Sequence, residues 1–160
     1  MATKNIRRVS AITICICLNL LLCACGAGTP DTSNTGITQV VNPLVEVATP
    51  QDMEAKLGYS VPVLKKDVSA YIVLVIDGVA ESGRIRYTDG SDFNIKQGSG
   101  DISGIYGGTP AGESTVSGVS VSYFTCEELR YAIWEKDGFT FSLTGGDTLE
   151  ADVAALLAAE

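Results

Sequence analysis

The sequence predicts an α+β domain: an antiparallel, meander-like curved sheet of about six strands, with a short N-terminal helix and a C-terminal amphipathic helix packed on it. Three observations predict it. Short β-branched and aromatic runs recur between residues 70 and 143. Asp-Gly pairs punctuate them at 77–78, 89–90 and 137–138. Helical spacing is confined to the two ends of the same region, near residues 50–57 and 149–157. No βαβ alternation is visible, and no internal repeat of about 20–50 residues.

The first helix starts from Thr49 as a cap, with Pro50 at the first helical position and Asp52 at the positive end of the dipole, and Gly58 closes its last turn. Met53 and Leu57, four apart, share one face. The run Ala70-Tyr71-Ile72-Val73-Leu74-Val75-Ile76 is apolar at both alternating sets of positions, which predicts a strand covered on both sides at the centre of the sheet. Arg84–Tyr87 and Phe93–Lys96 alternate polar and apolar residues and predict half-exposed antiparallel strands, turned by type I′ Asp-Gly pairs. From Gly98 to Gly118 the chain is glycine-rich with little periodicity, which predicts a long surface excursion. Val119–Phe124, Leu129–Trp134 and Phe139–Leu143 then form a three-strand meander, with Phe139, Phe141 and Leu143 on one face. Asp147 or Thr148 caps a final helix that presents Leu149, Val153, Leu156 and Leu157 to the sheet.

Residues 1–24 have the pattern of an export signal. Basic Arg7 and Arg8 precede an apolar run from Val9 to Leu22, which at about 14 residues falls short of the ~20 that a spanning helix needs. The end of the run, Leu22-Cys23-Ala24-Cys25, resembles a bacterial lipobox, with Leu three positions before the acceptor Cys and a small residue just before it. The expected organisation is therefore a lipoprotein signal peptide over 1–24, a lipidated Cys25 and flexible tether over 25–41, and one α+β domain over 42–160. Two acyl chains on a diacylglyceryl group suffice for stable anchoring, which predicts a cell-membrane location on the extracytoplasmic face. The tether, rich in Gly, Thr, Ser, Asn and Pro, offers too little apolar surface to order itself.

The 160-residue chain has a formal net charge of −8. Cleavage before Cys25 would remove Lys4, Arg7 and Arg8 and no acid, leaving the mature chain three charges more negative. That balance argues against nucleic acid, which is bound by clustered Lys and Arg. Of five cysteines, only Cys126 remains in the folded part. It is expected to be a buried small hydrophobe, since the chain contains no His to activate it.

An ordered set of motifs runs through the domain: Asn42–Val47 before the short helix, Leu57-Gly58-Tyr59-Ser60-Val61-Pro62, the Ile-Val-Leu-Val-Ile strand, Asp101–Tyr106, Ala132-Ile133-Trp134 and Gly138–Leu143 before the terminal helix. In this order the chain resembles an uncharacterised domain family of clostridial-type Gram-positive lipoproteins and membrane-tethered, anti-sigma-factor-like proteins, over about residues 42–160. The resemblance implies a fold, a location and a sensing or binding role outside the membrane. It implies no catalytic residues.

No chemistry-bearing motif stands out. Without His, activation of a Ser nucleophile lacks its usual base, and the paired thiols and imidazoles of common metal sites are absent. Neither a cofactor nor a metal is expected. Asp89-Gly90-Ser91-Asp92 is too short for a calcium loop. The first reading is a non-enzymatic binding or sensory module that contacts an envelope protein, peptide or wall component. Asp101, Tyr106 and Trp134 are its candidate ligand contacts, and Cys25 its lipid attachment site. The alternative is a wall-glycan enzyme using two carboxylates among Asp89, Asp92, Asp101, Glu113 and Glu127, brought about 5 to 10 Å apart across a cleft.

Overall fold

The computed structural model describes residues 42–159; Cys25 and the expected signal and tether lie outside them. The chain runs β1 (Leu44–Val47), α1 (Pro50–Leu57), β2 (Val68–Ile76), β3 (Val79–Tyr87), β4 (Asp92–Gln97), β5 (Thr109–Val116), β6 (Val119–Cys126), β7 (Leu129–Lys136), β8 (Phe139–Gly145) and α2 (Leu149–Ala158). All eight strands belong to one antiparallel sheet in the order β1-β2-β3-β4-β8-β7-β6-β5. Two four-stranded meanders therefore meet where β4 pairs with β8. Among the described residues, no helix is long and apolar enough to cross a membrane.

Eight strands replace the expected six, and the two extra ones, β1 and β5, are the edges. β5 lies within the segment read as a surface excursion, which shrinks to residues 98–108. Its sequence Thr-Pro-Ala-Gly-Glu-Ser-Thr-Val shows no apolar alternation because nearly every side chain is exposed, and Pro110 and the irregularity before Gly112 are tolerated only at an edge. β2 is second from the edge, not the centre. The central strand β4 is buried through Phe93, Asn94 and Ile95 rather than half-exposed.

Cross-strand register assigns the faces. Val73, Gly83, Ile95, Phe141, Trp134 and Val121 form one row across β2, β3, β4, β8, β7 and β6. Both helices cover this face: a side chain on Gly83 would meet Leu57 Cδ1 at 2.9 Å and Met53 Sδ at 3.2 Å, and Gly145 lies against Leu149. The core follows from that burial, with Phe93, Trp134 and Phe141 stacked and Leu149, Val153, Leu156 and Leu157 inserted from α2.

The caps of α1 and two of the three Asp-Gly turns form as expected. Thr49 Oγ1 accepts from the Asp52 N–H, and Gly58 closes α1 at a φ of 78°. Glu54 then accepts from Val61 N–H and Ser60 Oγ, and the backbone bond first and the hydroxyl second lower its pKa. Asp77-Gly78 and Asp137-Gly138 have positive φ at both residues, as a type I′ turn requires. Asp89-Gly90 differs: only Gly90 has positive φ, in a three-residue loop where Tyr87 N–H donates to Ser91 O. Thr148 makes no side-chain cap to α2; its hydroxyl donates to Asp152 Oδ2 instead.

Candidate functional site

The other face of the sheet carries Leu44 on β1, Ile72, Leu74 and Ile76 on β2, Ser82 and Arg84 on β3, and Asn94 and Lys96 on β4. No helix covers it. The segment 98–108 leaves β4 and turns back over the polar side of this face. Gly98 N–H donates to Gly138 O and Thr140 Oγ1 to Gly98 O, fixing the start of the segment on β8. Asp101 Oδ1 accepts from Ser103 N–H and Ser103 Oγ from Ile105 N–H, two consecutive side-chain turns that fold it sharply. At its far end Gly108 lies on the Tyr131 hydroxyl so closely that any Cβ would overlap it.

Between this segment and β1–β2 runs a groove of about 350 Å³. One wall is aliphatic: Leu44, Ile72, Leu74 and Ile76. The other is polar: Ser82, Arg84, Asn94 and Lys96 from the sheet, with Asp101, Ile102 and Gly104 from the overlying segment and Glu81 at the solvent end. The volume is at the lower end of the ~300–1,000 Å³ typical of small-molecule sites.

The polar wall is organised by a buried column. Asn94 donates through Nδ2 to Ser142 Oγ at 3.2 Å and accepts at Oδ1 from Arg84 Nε at 2.7 Å. Ser142 and Asn94 are both buried, so the column fixes the guanidinium from beneath and leaves its terminal N–H groups directed elsewhere. Arg84 Nη2 comes near Gly104, and Lys96 Nζ lies near Gly100. Neither cation is ion-paired among the described residues, whereas Lys66, Arg86 and Arg130 are, with Asp89 and Asp152, with Asp92, and with Glu150 respectively.

The three nominated ligand contacts separate. Asp101 lines the groove. Tyr106 is 94% exposed and outside it, its carbonyl facing Cys126 Sγ at 3.8 Å. Trp134 is a correction: at 3% exposure it is stacked in the core on the helix-covered face, where it reaches no ligand in the groove. Cys126 is half-buried at the end of β6 rather than buried. Among the carboxylates, Asp89 is bound by Lys66 and Asp92 by Arg86, while Glu113 accepts from Ser122 Oγ.

Arg84, Asn94 and Lys96 were missed because alternation presents them as solvated positions of two-faced strands. One signal could have found them: two cations on neighbouring strands of a strongly acidic chain. Comparisons of the chain with protein-family models, with curated proteins and with solved structures find no match.

Proposed function

We propose that the protein is a lipid-anchored extracytoplasmic binding or sensory module, non-enzymatic, with the groove on the open face of its sheet as the ligand site. One observation carries the binding reading: β2 is apolar at both sets of alternating positions, yet among the described residues the helices cover only one set, while in the other Ile72 and Leu74 are half-buried and Ile76 is exposed. Tyr71, Val73 and Val75 face the helix-side core, while Ile72, Leu74 and Ile76 face the groove. A sheet with one face in water ordinarily alternates polar and apolar residues. A second apolar row is therefore best understood as a surface kept for a ligand.

Display outside the membrane is supported by the lipobox at Leu22–Cys25 and by the family resemblance. Intact mass of the protein from its own membrane should begin at a diacylglyceryl-modified Cys25, and Cys25→Ser should leave the membrane fraction.

The groove reading is tested by hydrogen–deuterium exchange on the protein in its own membrane and after purification through a ligand-stripping unfolding and refolding step. The stripped protein should exchange faster at β2, β3, β4 and residues 99–104. Equal exchange in both states across these segments contradicts a groove occupied in the cell.

A further inference from the structure

Resting on that reading, the chemistry of the groove limits what enters it. Its aliphatic wall lies mostly on the face of β2, flanked by β1 and β3, where backbone N–H and C=O groups are consumed by strand pairing and cannot bond a ligand; of the strands in this wall only β1 has an open edge. A peptide backbone laid across that face would leave its own polar groups unpaired, which disfavours it. An alkyl chain carries no such groups. The wall continues outward into Leu44, Ile76 and Val79, which are 48%, 49% and 59% exposed, so a chain longer than the groove has an apolar exit path.

At the polar wall, Arg84 uses Nε on Asn94 and keeps a terminal pair of N–H donors of the kind that matches two carboxylate oxygens. Lys96, two residues along β4 from Asn94 on the same face, adds a second cation. Asp101 and Glu81 also line the groove. Asp101 lies on the side of Tyr131, where burial first and the Asp101 charge second raise the phenol pKa, and Glu81 is exposed at the solvent end. With two cations and two carboxylates around the groove in an acidic chain, a monoanion is favoured over a dianion.

We propose that the groove binds a single-chain aliphatic carboxylate, its head on Arg84 and Lys96 and its chain along Leu44, Ile72, Leu74 and Ile76.

The test follows 13C-carboxyl octanoate by NMR against the full chain in phosphatidylcholine nanodiscs, with empty nanodiscs subtracted and octylammonium and 1-octanol as competitors. Octanoate should bind saturably and at least tenfold more tightly than octylammonium. Arg84→Gln and, separately, Lys96→Gln should each weaken octanoate at least fivefold while leaving 1-octanol competition unchanged, which also shows that the groove is still folded. Equal affinity for octanoate in wild type and both variants overturns the carboxylate assignment and leaves a groove for neutral apolar ligands. Octanoate binding that survives Ser82→Trp, which fills the groove, overturns the groove reading as well. Absence of octanoate binding to a wild type that still loses a natively bound ligand on Ser82→Trp overturns the carboxylate alone.

Discussion

The Tyr59 hydroxyl is buried without a hydrogen-bond partner among the described residues, and loss of water around it pushes its pKa up to about 12. Its ring meets Phe139 edge to face at 4.8 Å, a contact that does not use the oxygen. Tyr59→Phe keeps the ring and removes the orphan, and should stabilise the domain by about 1 kcal/mol, read as a higher Tm by circular dichroism. A lower Tm would show that the hydroxyl has a partner. Much at this scale is legible in the sequence: parity along β7 separates Tyr131 from Trp134, and Thr49, Pro50 and Gly58 delimit α1 because capping depends only on neighbours. Parity does not say which face is open. Trp134 is consequently nominated for a site, and Arg84 is passed over as a solvated charge until the register of three strands and the fold of residues 98–108 bring it beside Asn94 and Gly104.

Elements are held together by contacts that sequence distance hides. Lys66, in the connection before β2, donates to Asp152 of α2 at 2.6 Å and to Asp89 of the β3–β4 hairpin at 2.8 Å. Burial pulls the Lys66 pKa down, but hydrogen bonds and charges from Asp152 and Asp89 outweigh it and the net shift is upward. The Lys66 hydrogen bond, followed by the Ser91 hydroxyl and N–H, holds the Asp89 carboxyl well below the usual 3.8. The depressed Asp89 value gives stability present above pH 3.8 and lost as acid titrates through its lower folded value. The raised Lys66 value gives stability present below pH 10.5 and lost as base titrates through its higher folded value. Lys66→Met leaves Asp152, 12% exposed at its side chain, without its cation. It should cost roughly 3 kcal/mol in urea unfolding at pH 7, and progressively less as pH falls below 3.8 toward the lower folded value of Asp89; a cost that does not change with pH would place the effect in packing instead. The six inner strands are legible because apolar alternation records burial. β1 and β5 are not, because an edge strand gains little from it. Pro110→Val should restore a backbone donor to the β5 edge and raise the share of dimers or larger species in light scattering. An unchanged mass would mean that the edge is guarded by something other than Pro110.

At the scale of the whole molecule, two meanders joined through β4 and β8 present one face to two helices and the other to a short folded-back segment. The segment covers the polar half of that face and leaves the aliphatic half on β1 and β2 beside Arg84 and Lys96, neither of them ion-paired among the described residues. The groove is proposed to hold a ligand in the cell. Native mass spectrometry of the protein isolated gently from its own cells tests this, comparing wild type with Ser82→Trp after matching their Tm values. The wild type should carry an adduct of constant mass that is absent from Ser82→Trp. An adduct retained by Ser82→Trp, or a wild type isolated with nothing bound, would rule it out.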